Sequence, residues 1–261
     1  MKDIIAIIGA GNMGAAFYAG LHGKNRLRIN LCDRNRDKLD PLDADHAFTD
    51  PAKAIAEADT VLLAVKPQAA KELLTSLSPA LNDRLVISIM AGITLTSLQQ
   101  MTRSQRVIRA MPNLGAQVKR GLTGWVASEK TETKDRAFAK ELFYAVGEEI
   151  ELQDEEQIDK ITALSGSGPA YFFLLAELMT AKAIKEGFSP AEAALIAKET
   201  MIGSARLLES DSRTPEEWRL AVTSRGGITE AALRALKDGK IDDLFFGAID
   251  RGIKRSQELN Q

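Results

Sequence analysis

Cysteine and histidine are nearly absent from this chain. Its 261 residues include one cysteine, Cys32, and two histidines, His22 and His46. A single thiol excludes an internal disulfide, and so few Cys and His side chains make a Cys/His metal site improbable, so no metal is expected. An excess of either charge is missing too. Lys and Arg total 34 against 36 Asp and Glu, a net charge of −2, whereas nucleic acid or an acidic membrane as the main partner leaves a basic excess. Long hydrophobic runs are also lacking. The most apolar segment, Pro169 to Ala176, ends at Glu177, far short of the roughly 20 residues of a membrane span. The run Ile4 to Ile8 is broken by a glycine turn with no cleavage pattern, so no secretory signal is expected. These absences point to a cytoplasmic protein that binds neither nucleic acid nor membrane. Its chemistry has to come from hydroxyls, lysines, carboxylates or a cofactor. The remaining composition, 45% hydrophobic and 27% charged, is that of an ordinary globular chain.

What is present concentrates near the start. Ile4, Ile5, Ala6, Ile7 and Ile8 form a continuous apolar run, β-branched and too short for an ordinary helix, which reads as a strand buried on both faces. Gly9-Ala10-Gly11-Asn12-Met13-Gly14 follows in Gly-x-Gly-x-x-Gly spacing, and Ala15 to Leu21 can begin a helix. In such a strand-turn-helix the first glycine permits the tight turn and the second lets backbone N–H groups approach a pyrophosphate. The third lets the helix pack closely on the strand. The helix N-terminus adds unsatisfied donors and a partial positive charge. The stretch therefore predicts dinucleotide binding.

Arg28 to Cys32 reads as a second strand, and Asp33 falls 19 residues after Gly14, where a carboxylate would hold the 2′-hydroxyl of an adenosine ribose. Arg34, Asn35 and Arg36 come next, and arginines there can accept a 2′-phosphate, so these residues leave NAD and NADP both open. Asp50 as N-cap and Pro51 at the first position start a helix through Ala58. Strands are expected at Thr60 to Val65, Arg84 to Met90, Arg106 to Met111, Gly121 to Ala127 and Glu148 to Leu152, with a helix over Thr133 to Val146. Lys66, in Ala64-Val65-Lys66-Pro67, would face the crevice at the carboxyl ends of the strands. The alternation predicts an α/β fold, a Rossmann-type doubly wound sheet, mainly parallel with right-handed crossovers, over residues 1–155.

From Asp154 onward strand candidates stop. Tyr171, Leu174, Leu175, Leu178 and Ala181 would share one helix face. Helices are expected over Gly168 to Glu186, from Ser189-Pro190 to about Leu208, from Thr214-Pro215, and over Ile241 to about Leu259, making residues 156–261 an all-α domain. The apolar faces of the long helices suggest burial against a second chain. Two stretches stand out from helical filler. Thr162 to Tyr171 interrupts helix with hydroxyls and glycines, a break expected to expose backbone N–H groups. Thr223-Ser224-Arg225-Gly226-Gly227-Ile228-Thr229 is a hydroxyl-rich turn opening a helix, a good receptor for a carboxylate.

Taken in order over the full length, these segments resemble the Δ1-pyrroline-5-carboxylate reductase family. The resemblance lies in Gly9 to Gly14, Ala64-Val65-Lys66-Pro67-Gln68, Met90-Ala91-Gly92, Arg109-Ala110-Met111-Pro112-Asn113, Ser165-Gly166-Ser167-Gly168-Pro169-Ala170-Tyr171 and Val222-Thr223-Ser224-x-Gly226-Gly227-x-Thr229. The last two motifs are specific to the family. The resemblance implies an N-terminal Rossmann domain and a C-terminal helical dimerisation domain, in a homodimer or higher homo-oligomer. It implies hydride transfer to the cyclic imine, giving L-proline. Ser165, Ser224, Gly226, Gly227 and Thr229 would hold the substrate, and Thr162 falls on the threonine that hydrogen-bonds the ring nitrogen. Ala64, Val65, Lys66, Pro67, Ala91, Gly92 and Asn113 join Gly9, Ala10, Gly11, Asn12, Met13, Gly14, Asp33 and Arg34 as the cofactor set. Arg34 and the family habit favour NADP(H), with NAD(H) the alternative.

A protonated imine is already a good hydride acceptor, so orientation and a polar partner for nitrogen suffice, and the lack of a catalytic histidine or cysteine fits. Four positions depart from the family pattern: Leu114-Gly115 where Thr-Pro is usual, Ile228 where threonine is common, and Arg225 where proline is frequent. Two alternatives remain. One is another imine reductase or a β-hydroxyacid dehydrogenase, although the helix after Gly168 lacks the latter's lysine and asparagine. The other is a catalytically silent dinucleotide-binding regulator, supported only by Leu114 and Ile228.

Overall fold

The computed structural model describes residues 3–23 and 27–260. The opening apolar run becomes β1 (Asp3–Ile8), paired in parallel on both sides, with β2 (Leu27–Cys32) and with β4 (Thr60–Leu63). Between them lie α1 (Asn12–Leu21), the two-residue β3 (Ala47–Phe48) and α2 (Pro51–Ile55). The sheet continues through α3 (Ala70–Leu81), β5 (Leu85–Ser88), α4 (Leu95–Thr102), β6 (Val107–Pro112) and β7 (Gly121–Ala127), and closes with α5 (Thr133–Tyr144) and β8 (Gly147–Glu151). The eight strands run in the order β3-β2-β1-β4-β5-β6-β7-β8.

Alternation along each strand sends residues to two separate cores. Ile5 and Ile7 join Phe17, Leu31, Leu62, Trp125 and Phe143 on one face, while Ala6 and Ile8 join Ile55, Val61, Leu74 and Val107 on the other. Each fully buried large apolar side chain contributes about 1.5–3 kcal/mol, so β1, buried on both faces, anchors both layers at once. The helix of Asp50 and Pro51 ends earlier than its sequence suggests, at Ile55, and β3 had no sequence signal. One stretch breaks the parallel pattern. Between β6 and β7 there is no helix, only a 3₁₀ turn over Leu114–Val118, so the two strands pair antiparallel. A parallel return would need a crossover of a dozen or more residues.

By packing, the chain forms two units. One reaches to Ser167 and takes in the chain again from Arg251; the other is Gly168–Asp250. In the first, α6 (Glu156–Ile161) runs directly into a π-helical segment, Thr162–Gly166, where Ser167 N–H donates to Thr162 O at 2.9 Å. The expected break after Thr162 is thus a widened helical turn, closed by the bond from Ser167 N–H to Thr162 O, not an open loop. The second unit holds α7 (Gly168–Lys185), α8 (Pro190–Ser210), α9 (Pro215–Ala221) and α10 (Ile228–Asp238), and the start of α11 (Ile241–Leu259). Ser189 and Thr214 each cap their helix in a reciprocal box, with Glu192 and Glu217, and Tyr171 meets Phe245 edge to face. No helix among the described residues is long and apolar enough to cross a membrane.

Candidate active site

The order of strands reverses at β1, where the connection from β2 leaves to one side and β4 lies on the other. Ligands of such sheets bind in the crevice this opens at the carboxyl ends of the strands. A cleft of about 420 Å³ lies there, and Gly9, Gly11, Asp33, Arg34, Ala64, Val65 and Lys66 all line it.

The three glycines behave differently, and each for a visible reason. Gly9 sits at φ +108°, and a Cβ there would lie 2.5 Å from the carbonyl oxygen of Ala64. At Gly14 a Cβ would lie 1.8 Å from Gly9 O, so α1 can seat on the turn only without one. Around Gly11 a Cβ would meet nothing within 4 Å. Of the two glycines that line the cleft, Gly11 is the one with no packing reason to be small. Gly11 also serves as N-cap of α1 with no side chain capping it. The first-turn N–H groups of Asn12, Met13 and Gly14 are therefore available to an outside acceptor, and the cradle fits a pyrophosphate.

At the β2 side of the cleft, Asp33 is already engaged. Its Oδ2 accepts the Ala10 N–H at 2.9 Å and the Lys38 ammonium at 3.1 Å, and its Oδ1 accepts the Asn35 N–H at 2.9 Å. Burial pushes the Asp33 carboxyl up, but these donors outweigh it and hold the group below the usual carboxylate range. Lys38, in the same cleft, has no signal in the sequence to set it beside the arginines nearer Asp33. Beside them, burial and the charges of Asp33 and Asp50 push the Cys32 thiol up to about 12.

The remaining sequence candidates of this unit lie at the ends of neighbouring strands. Pro67 opens a 3₁₀ turn after exposed Lys66. Ala91 and Gly92 form the turn after β5, with Gly92 buried and Ala91 exposed. Asn113 follows β6, capping the next 3₁₀ turn with both ends of its amide engaged. Its Oδ1 accepts the N–H groups of Gly115 (3.1 Å) and Leu122 (3.2 Å), and its Nδ2 donates to Ser165 Oγ at 2.9 Å. Thr162 Oγ1 donates to the Ile158 carbonyl at 2.6 Å. That proton is committed, so what this hydroxyl can offer a ligand is a lone pair.

Ser224, Gly226, Gly227 and Thr229 belong to the helical unit. There, Gly226 takes φ +72°, and Gly227 is the N-cap of α10 with no side chain capping it. Gly227 N–H closes the turn on Ser224 O at 3.0 Å, and Gly226 N–H donates to Glu230 Oε2 at 2.6 Å. The turn thus already holds a carboxylate, one from its own helix. Arg225 and Ile228 are exposed, Ile228 by 92%. A larger cleft, about 610 Å³, lies at the opposite, amino ends of the strands around Arg84, Arg106 and Asp135. There Arg106 is paired to Asp135, and Arg84 donates to the carbonyls of Ala80 and Ala56, which makes it a structural seam.

Comparison with known proteins converges on one family. Residues 155–259 match the family model for pyrroline-5-carboxylate reductase dimerisation, and residues 4–92 the model described as NADP oxidoreductase coenzyme F420-dependent. The chain is 38% identical to the pyrroline-5-carboxylate reductase of Pseudomonas aeruginosa over 98% of its own length and 96% of that protein's. It superposes on a solved pyrroline-5-carboxylate reductase from Coxiella burnetii with TM-score 0.92 and 35% identity, covering 100% of each chain. A Plasmodium falciparum pyrroline carboxylate reductase with NADP bound shares the fold, with TM-score 0.85 and 22% identity over 99% of this chain and 98% of that one. On this full-length kinship the chain belongs to the pyrroline-5-carboxylate reductase family, NAD(P)H-dependent oxidoreductases acting on a C=N bond.

Proposed function

We propose that the chain carries out its family's reaction, reduction of 1-pyrroline-5-carboxylate to L-proline, with the residues above in definite roles. Bound NADPH supplies the hydride. The uncapped first turn of α1 would hold the pyrophosphate, with Gly11 leaving the approach open. Arg34 and Lys38 would meet the 2′-phosphate, since Asp33 is turned toward Ala10 and Lys38 rather than left free for a ribose hydroxyl. That favours NADP(H) over NAD(H), in keeping with the NADP named for the Plasmodium relative.

The observation that carries the substrate side is the direction of the Thr162 hydroxyl. With its proton on Ile158 O, Oγ1 can only accept, and the group it suits is the N–H of a protonated imine. Thr162 then orients the electrophile and holds its charged form without acting as an acid, as expected of an unperturbed hydroxyl. Ser165, fixed as acceptor by Asn113, keeps its own proton to donate. Ser224, Gly226, Gly227 and Thr229 would receive the carboxylate at the start of α10, with Glu230 yielding the Gly226 N–H.

The functional division at residue 155 would separate cofactor from substrate and dimerisation roles. A homodimer or larger assembly through the C-terminal helices is supported by Phe172, Phe173, Leu175 and Leu178 on α7, each at least half exposed in the single chain. A cytoplasmic setting fits the biosynthetic reaction.

Purified protein given the imino acid with NADPH, and separately with NADH, should form proline, faster with NADPH. Thr229→Ala should raise KM for the imino acid with little change for cofactor, through loss of a charge-assisted hydrogen bond worth about 1.5–3 kcal/mol. Dinucleotide binding without proline formation would overturn the reading in favour of a silent regulator.

A further inference from the structure

Arg109 lies in the middle of β6 and is 1% exposed. Its Nη1 donates to Glu155 Oε1 at 2.7 Å and its Nη2 to Asn260 Oδ1 at 2.9 Å, with Asp159 Oδ1 at 3.6 Å. The partners are tied in turn. Glu155 Oε1 also accepts the N–H of Leu95, the first residue of α4, at 2.8 Å. Asp159, itself buried, accepts Ser256 Oγ at 2.7 Å and Asn260 Nδ2 at 2.9 Å, both at the end of α11. One guanidinium thus joins β6, α4, α6 and the last turn of α11 within the sheet unit. Burying a guanidinium is costly even when paired, and an apolar side chain of similar volume often holds such elements together as well. Cohesion alone is a weak reason for this cluster.

Its placement suggests a stronger one. Arg109 is on the strand that leads directly into Asn113. Asp159 is on the helix that runs without interruption into the π turn carrying Thr162 and Ser165. The two segments are clamped twice, by Arg109 to Glu155 and Asp159 at one end and by Asn113 to Ser165 at the other. Between the clamps, Gly166 lies against Met111, which would be 3.6 Å from a Cβ added there. A π turn holds its shape only where its surroundings hold it, so where Thr162 sits along the helix axis depends on how α6 is seated on β6.

We propose that Arg109 is a positioning residue for the imine site. Its grip on Glu155 and Asp159, shared with Asn260 and Ser256, sets where the hydroxyls of Thr162 and Ser165 meet the substrate. The inference rests on the substrate roles proposed for those two hydroxyls. It also gives the last turn of α11 a task in the chemistry, since Asn260 braces both Arg109 and Asp159.

The test uses the full chain with Arg109→Lys, Asp159→Asn and Asn260→Ala, and Thr162→Ala beside them. Asn260→Ala leaves the guanidinium its two carboxylates and so should fold even if the others are weakened. For each variant, kcat and KM for the imino acid are measured together with Kd for NADPH. Displacement of a reacting group by about 1 Å costs up to about a hundredfold, so Arg109→Lys and Asp159→Asn should lower kcat/KM for the imino acid by about tenfold or more. Asn260→Ala should do so by about threefold, the NADPH Kd staying within about twofold in all three. Parallel loss of cofactor affinity and turnover would mean general destabilisation and overturn the proposal. Wild-type kcat/KM in Asn260→Ala and Asp159→Asn, with Thr162→Ala impaired, would overturn it while leaving the site reading intact. An unimpaired Thr162→Ala would overturn the site reading and the inference with it.

Discussion

Replacing Lys38 by methionine should change which dinucleotide the protein prefers. Lys38 Nζ lies 3.1 Å from Asp33 Oδ2, and its side chain is 49% exposed. In the wild type this ammonium balances the Asp33 charge and stands in the cleft where a 2′-phosphate would arrive. The methionine variant removes an attraction and leaves the phosphate facing an unbalanced carboxylate. A charge-assisted contact is worth about 1.5–3 kcal/mol when desolvated and about 0.2–1 kcal/mol when fully exposed. A half-exposed site falls between, at about 1–2 kcal/mol, or about a five- to thirtyfold loss of NADPH affinity. NADH carries no phosphate there, and its affinity should hold or improve as Asp33, still accepting the N–H groups of Ala10 and Asn35, gains a lone pair for the ribose hydroxyl. Titration calorimetry with both dinucleotides gives the ratio directly. Repeating it at higher salt should weaken NADPH binding more in the wild type than in the variant, because the missing term is the screened one. An NADPH/NADH affinity ratio unchanged to within about twofold would show that Lys38 does not act on the phosphate, and the engagement of Asp33 would then need another explanation.

Further outcomes follow from other parts of the sheet unit. Gly14→Ala places a methyl 1.8 Å from Gly9 O, so α1 must lift off the turn. Thermal stability should fall by about 1–3 kcal/mol with dinucleotide binding lost; retention of both would mean the helix seats elsewhere. Burial pushes the Asp135 carboxyl up, but the Arg106 guanidinium, bonded at 2.8 and 2.5 Å, pulls it below the usual range. A depressed carboxyl contributes stability that is present above its unfolded pKa of about 3.9 and lost as pH falls through the folded value. Arg106→Met should therefore cost about 1–3 kcal/mol near neutrality and flatten the acid limb of denaturation curves, and an unaltered limb would refute the pairing. Cys32, 2% exposed with its thiol at about 12, should resist maleimide at pH 8, where its thiolate fraction is on the order of 10⁻⁴, and label only as urea unfolds the chain. Rapid labelling of the folded protein would contradict this.

The sheet was legible because its strands are buried on both faces and therefore read as unbroken apolar runs. Gly121 to Ala127 was placed to the residue, and Ile241 to Leu259 likewise. Other strands differ by a residue or two in either direction: starts at Ile4 and Arg28 miss the first residues of β1 and β2, Arg106 to Met111 and Glu148 to Leu152 are each displaced by one, and Thr60 to Val65 overruns Thr60–Leu63. There the chain stays apolar past the last ladder bond, lining the cleft. Strand direction was harder to read. The antiparallel pairing of β6 and β7 follows from the shortness of the connection through Leu114–Val118, where a 3₁₀ turn capped by Asn113 leaves no room for a crossover helix. The two-residue β3 escaped notice because a pair of residues, Ala47 and Phe48, carries no periodicity.

For the site, legibility depended on whether a residue's chemistry is local in the chain. The glycine turn is local: Gly14 answers to Gly9, Gly9 to Ala64 just past the adjacent β4, and Gly11 to the open cleft, and sequence spacing captures that. Asp33 was half legible. Its distance from Gly14 marked it as a ribose ligand, yet what decides its role is Lys38, five residues on, brought back by the 3₁₀ turn Arg36–Lys38. Thr162 could be singled out from its motif, but not the direction of its proton, which is set by the carbonyl of Ile158 in the preceding helical turn. The role of Arg109 is not legible in its motif. Its partners stand 46 and 151 residues away, and nothing in Arg109-Ala110-Met111-Pro112-Asn113 distinguishes a buried arginine from an exposed one. The same reasoning bears on Glu230. Its carboxylate accepts the Gly226 N–H only because α10 begins there and places residue 230 one turn above the glycine. If the turn receives the substrate carboxylate as proposed, that group would have to compete with an internal one, and the turn's affinity for it would reflect the difference between the two, not the strength of either contact.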